Sequence, residues 1–129
     1  MATEISVITP CLGAFDVIGD CVNSVTRQSL QAEQIIVSGD PAGSLSGVTE
    51  GAGPRVRVLY EAPAGIYAAI NAGIREATGE VVGILHADDL YSAESVLAQV
   101  AEVFADASIG ACFGDLCYVD PKDTERIVR

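Results

Sequence analysis

Positive charge is the scarcest property of this chain. Its 129 residues hold 7 Lys and Arg against 18 Asp and Glu, for a net charge of -11. A surface of that sign repels polyphosphate at long range, which argues against a nucleic-acid partner. A small phosphorylated ligand is still compatible, because a metal ion and backbone N–H groups offset its charge locally. Aromatic residues are also rare, at 5% with no Trp, so any core is assembled from Val, Ile, Leu and Ala. The cysteines Cys11, Cys21, Cys112 and Cys117 form no C-x-x-C pair, and the single His is distant from all of them in sequence. That spacing argues against a zinc site, and reduced, partly buried thiols are expected instead. No apolar run approaches membrane-spanning length, and residues 1–4 do not open a secretory signal. A cytoplasmic protein is the expectation.

What is present is hydrophobic. Half of the residues are apolar, enough to exclude disorder and to build one domain with a real core. The β-branched run at residues 5–9 predicts a buried strand stopped by Pro10. Apolar positions at helical spacing follow over residues 16–28, with Asp16 as the expected N-cap. Residues 35–37 read as a second buried strand. Residues 42–54 are rich in Gly, Ser and Thr and read as a mobile loop with room for one weak helical turn. A half-exposed strand is expected at residues 56–59 and a helix at 66–77, with Gly79 where a C-terminal cap belongs. Residues 81–85 form the most continuously apolar stretch and are therefore expected at the centre of a sheet. An amphipathic helix at 93–104 and strands at 109–113 and 116–119 complete the pattern.

Alternating strands and helices predict an α/β sandwich around a mostly parallel sheet. Ligands bind such sheets beyond the carboxyl ends of the strands. The polar loops at residues 10–16, 38–44 and 86–89 occupy those places. Asp88 and Asp89 directly follow the most apolar strand. Two adjacent carboxylates repel one another, at a cost unless a cation or hydrogen bonds offset it. Divalent ions such as Mg2+ and Mn2+ favour carboxylate oxygens and keep positions for water and phosphate. Alternatively, one of the pair simply caps the next helix. The pair alone does not separate these readings.

The surrounding motifs do. Ala64-Gly65-Ile66-Tyr67-Ala68-Ala69-Ile70-Asn71-Ala72-Gly73-Ile74, then Ala77-Thr78-Gly79-Glu80, then His86-Ala87-Asp88-Asp89 resemble the inverting family 2 glycosyltransferases of the GT-A fold. Ser6-Val7-Ile8-Thr9-Pro10 and Ser24-Val25-Thr26-Arg27-Gln28-Ser29 are similar to that family's first strand and helix, and Gly114-Asp115-Leu116-Cys117-Tyr118-Val119 is similar to its bacterial polysaccharide branch. The likeness covers nearly the whole chain. It implies a GT-A, Rossmann-like three-layer sandwich, incomplete here, with residues 1–129 as its nucleotide-sugar-binding portion. It also implies Asp88 and Asp89 as the metal site for Mn2+ or Mg2+, with Asp88 also touching the donor diphosphate. Thr9, Pro10 and Leu12 would pack around the nucleotide, and Gly65, Tyr67, Asn71 and Gly73 would flank the donor. The implied partners are a nucleotide-diphosphate sugar, a UDP-sugar first, and a saccharide acceptor. The implied reaction is metal-dependent sugar transfer with inversion, in polysaccharide synthesis in the cytoplasm or at the inner face of the membrane.

Three departures qualify the likeness. The family places a base-reading Asp after its second strand, where this chain has Ser38; Asp40, two residues on, is the substitute, or it forms an Asx turn before Pro41. His86 stands where the family has Asn or Asp. Family members also continue further, and the continuation supplies the catalytic base, so that base is expected outside these residues and self-association through uncovered surface is anticipated. Two other readings stand beside sugar transfer. A sugar-phosphate nucleotidyltransferase would carry basic residues after the first strand, but Pro10-Cys11-Leu12-Gly13-Ala14 has none. A module that keeps the fold without turnover is the non-enzymatic reading.

Overall fold

The computed structural model describes residues 3–13, 16–40, 45–49, 51–62 and 64–129. The parallel strands β1 (Ile5–Cys11), β2 (Glu33–Ser38), β3 (Val56–Tyr60) and β4 (Val81–Ile84) form a sheet in the order β3-β2-β1-β4. Helices α1 (Ile18–Thr26), α2 (Ser46–Thr49), α3 (Ile66–Glu76) and α4 (Val96–Phe104) connect and cover it. Two short antiparallel strands, β5 (Val119–Asp120) and β6 (Asp123–Ile127), form a separate ribbon.

Strand alternation sorts the core into two layers. Ile5, Val7, Cys11, Ile36 and Leu85 face Ile18, Cys21, Val22 and Val25 of α1 and Leu97 of α4. Ile8, Ile35 and Val37 face Ala69 and Ala72 of α3 on the other side. The three-layer α/β sandwich is therefore as expected. β1 lies between β2 and β4, so the chain reverses its direction of travel across the sheet there. That is the switch point at which such sheets open a crevice.

β1 runs two residues past its expected end, through Pro10 to Cys11. The Leu85 N–H donates to the Ile8 carbonyl at 3.0 Å, so the even-numbered residues of β1 turn their backbone groups toward β4. β4 pairs with β1 only as far as Ile8. The N–H that Pro10 lacks would point past the end of β4, so its absence removes no ladder bond. α1 begins at Ile18 after an N-cap at Val17 without a side-chain bond, so Asp16 is not the cap. Gly79 is not a left-handed cap either. α3 ends in extended backbone at Ala77, and a Cβ on Gly79 would come within 2.8 Å of the Ser6 nitrogen and 2.9 Å of the Glu4 carbonyl oxygen. Its bareness serves the close approach to β1. The expected loop at 42–54 contains α2; residues 42–44 and 50 lie outside the described residues.

Two expectations fail. The strand at 81–85 is not central: β4 is an edge, and Val82 and Ile84 are 37% and 42% exposed because no helix covers that end of the α3 face. Residues 109–113 form no strand; they pair with no other strand in the sheet, and Phe113 is 95% exposed. Of the last expected strand only its end is realised, as β5.

Candidate functional site

The carboxyl ends of β1, β2 and β3 meet the amino end of α3 around a shallow, open cleft. Leu12, Ser38, Gly39, Glu61, Gly65 and Ala69 line it. Each arrives there for a local reason. Leu12 lies one residue beyond β1. Ser38 ends β2, and its carbonyl accepts the Glu61 N–H at 3.0 Å, which fixes Glu61 just past β3. The Ser38 hydroxyl accepts the Asp40 N–H at 3.1 Å and turns the chain at Gly39. Gly65 opens α3 at φ 93° and ψ 170°, backbone that only glycine adopts freely.

On the other side of the switch point, β4 ends at Ile84 and the loop 85–91 follows. The Asp89 N–H donates to the His86 carbonyl at 3.0 Å, closing a turn that leaves both Asp88 and Asp89 exposed. Neither caps a helix, because α4 starts at Val96 with Ser95 as its N-cap. The Asp89 carboxyl is raised above the usual range, by burial first and then by the charge of Asp88, while His86 pulls it back. A cation would offset that repulsion. Among the described residues no group of three or more His, Cys, Asp or Glu side chains gathers for a metal. The donor set therefore fits a divalent ion only as an open site, two carboxylates with phosphate and water completing the shell.

Helix α1 anchors this loop. The Ser24 hydroxyl donates to the Cys21 carbonyl at 2.7 Å and accepts the Tyr91 N–H at 3.1 Å. One turn on, Gln28 is 2% exposed; its Nε2 donates to the Ala93 carbonyl at 2.6 Å and its Oε1 accepts the Leu97 N–H at 2.9 Å. A side chain two residues past the end of α1 thus caps α4, which explains why α4 starts later than its apolar spacing predicts. Beneath the loop, burial pushes the Cys21 thiol up to about 11, against hydrogen bonds from Thr9 and Gln34, so it stays protonated and serves as core rather than nucleophile.

The remaining expected site residues divide. Leu12 and Gly65 line the cleft. Thr9 and Pro10 are buried within β1, and the Thr9 hydroxyl accepts from Gln34 Nε2 at 2.9 Å, so Thr9 turns its side chain into the core. Asp40 sits beside the cleft but is not part of its lining. Tyr67, 80% exposed, and Asn71 share one exposed stripe of α3. Gly73 belongs to packing, since a Cβ there would meet Ile8 Cγ2 at 2.5 Å. Glu61, Ser24 and Gln28 were not singled out from sequence. Glu61 had a signal, being the first carboxylate after a strand end; Ser24 and Gln28 lie in the run 24–29 that resembles the family's first helix, but nothing local in that run pointed to loop 85–91 or α4. No helix among the described residues is long and apolar enough to cross a membrane.

Comparison with known proteins bears on the family and the fold. The model of glycosyl transferase family 2 matches residues 6–127. The Escherichia coli (strain K12) protein described as uncharacterized glycosyltransferase YibD is 32% identical over 128 residues, covering 94% of this chain and 37% of that protein. The mannosyltransferase PcManGT from Pyrobaculum calidifontis, solved in complex with GDP-Man and Mn2+, superposes with a TM-score of 0.78 at 26% identity, covering 97% of this chain and 38% of that one. S. aureus TarS in complex with UDP-GlcNAc shares the fold, with a TM-score of 0.70 at 21% identity over 80% of this chain and 31% of that one. The chain thus spans well under half the length of these proteins. Match and fold together show that the chain belongs to glycosyl transferase family 2.

Proposed function

We propose that these residues form the donor-binding half of a glycosyltransferase that moves a sugar from a nucleotide-diphosphate sugar to a saccharide hydroxyl. The observation that carries this reading is the exposed, uncapped pair Asp88-Asp89 at the end of β4, beside the switch point and its cleft. A shallow cleft with mostly apolar or small walls on one side, and a repelling carboxylate pair on the other, match a ligand with a base at one end and a diphosphate at the other. PcManGT in complex with GDP-Man and Mn2+ supports both the class of donor and the ion.

In this reading Leu12, Gly65 and Ala69 wall the base, and Asp88 and Asp89 hold Mn2+ or Mg2+. The ion, when bound, offsets charge developing on the departing diphosphate. The loop 85–91 keeps both carboxylates in place through Ser24 and Gln28, so little order has to be acquired on binding. Inversion requires a base for the acceptor hydroxyl. None of the described carboxylates is assigned that role; Asp120 accepts the Lys122 N–H at 2.8 Å and pairs with Arg126 at 3.5 Å within the β5–β6 ribbon.

Calorimetric titration with UDP and GDP, in Mn2+ and then in excess chelator, tests the reading. Binding is expected in Mn2+ and lost with chelator. Binding that ignores the chelator, or none in either condition, overturns it.

A further inference from the structure

We infer that Glu61, on the loop after β3, selects the nucleobase of the donor by accepting a ring N–H, and that Asp40 does not. The inference rests on the donor-site reading above. The cleft has mostly apolar or small walls, among them Leu12, Ala64 and Ala69, and among the described residues Glu61 is the one ionisable side chain in its lining. Its backbone is fixed by the 3.0 Å bond from its N–H to the Ser38 carbonyl, so the residue that carries the carboxylate is tied to the end of β2 and is not on a free loop. Ser38, the last residue of β2, brings a hydroxyl already engaged by the Asp40 N–H. That bond carries the chain through Gly39, and Asp40 stays out of the lining.

The chemistry of an ionised carboxylate decides the ligand class. It accepts hydrogen bonds and donates none. Uracil and guanine each carry a ring N–H on the edge opposite the sugar. Cytosine and adenine carry at the same edge an unprotonated ring nitrogen, whose lone pair a carboxylate repels. Glu61 therefore favours a uracil or guanine nucleotide over a cytosine or adenine one. Gln at the same position can donate as well as accept, and loses that preference.

Titration of the intact chain in Mn2+ with UDP, GDP, CDP and ADP tests this, on the unaltered protein and on Glu61→Gln and Asp40→Asn. Glu61 is exposed and its side chain supports no core contact, so the variant folds; a superimposable thermal melt checks that. A charge-assisted hydrogen bond predicts that UDP or GDP binds about tenfold or more tightly than CDP and ADP. Glu61→Gln is expected to remove most of that ratio, and Asp40→Asn to leave it. The UDP and GDP arms tell which of the two bases the site takes. A ratio unchanged in Glu61→Gln, or one lost in Asp40→Asn instead, overturns the assignment of Glu61 while leaving the donor site standing. Absence of Mn2+-dependent binding for every diphosphate overturns the donor site and this assignment together.

Discussion

At the scale of single residues, two carboxylates show opposite uses of a polar group, one tied into the frame and one exposed where chemistry is proposed. Glu33 belongs to the frame. Burial raises its carboxyl, but hydrogen bonds from the Ser6 hydroxyl at 2.6 Å and the Thr78 N–H at 2.7 Å, with the charge of Arg57, outweigh that and leave it lowered. A carboxyl lowered by folding stabilises the protein above its unfolded value, and the contribution is lost as pH falls through the folded value. The stability gap between the unaltered protein and Glu33→Gln is therefore expected to be full at neutral pH and to close in acid, below the ordinary value of 4.5. Urea unfolding at neutral and acidic pH measures it; a gap independent of pH would contradict the assignment. Asp89 is the opposite case, a carboxyl raised by burial and by its neighbour with no hydrogen bond to compensate.

At the scale of elements, residues 5–9, 35–37, 56–59, 66–77 and 81–85 were legible because their apolar spacing is local. What was not legible depended on partners. Pro10 reads as a stop, yet β1 passes through it because β4 has already ended on that side. The start of α4 follows from Gln28, which is distant in sequence. Residues 81–85 are apolar enough for a central strand, but centrality is decided by what pairs beside them. In the candidate site, Asp88 and Asp89 were readable from their place after a strand together with the motifs around them, while the only local signal of Glu61 was its place after a strand end, and Ser38 and Gly65 come next to it through the fold. Gln28 gives a test at this scale. Gln28→Ala leaves the buried Leu97 N–H and the Ala93 carbonyl without their partner, which costs about 1–3 kcal/mol per buried group. Differential scanning calorimetry should show a clear fall in Tm, with Mn2+-dependent nucleotide binding weakened at temperatures where the variant is still folded. An unchanged Tm would mean the bonds carry no weight.

At the scale of the whole molecule, an acidic surface and an uncovered apolar edge work against each other. Val82 and Ile84 on β4, with Phe113 and Leu116 beyond α4, are exposed, and an open strand edge invites pairing. A net charge of -11 opposes contact between copies, and salt screens that repulsion over a Debye length of about 10 Å at 0.1 M. The 129-residue chain is therefore expected to self-associate more as salt rises, and Ile84→Lys to suppress it. Light scattering across salt concentrations reads this, and a particle of monomer mass throughout would contradict it. In the proposed donor site the same acidic surface would make the metal central, because a net charge of -11 repels a diphosphate.

That dependence is measured most directly by Mn2+ titration in the presence of UDP or GDP, followed through loss of the free-ion EPR signal. The unaltered chain is predicted to take up Mn2+ saturably, and Asp88→Asn and Asp89→Asn to lose that uptake while keeping their thermal melts. Uptake that survives both substitutions, or none in the unaltered chain, would contradict the account.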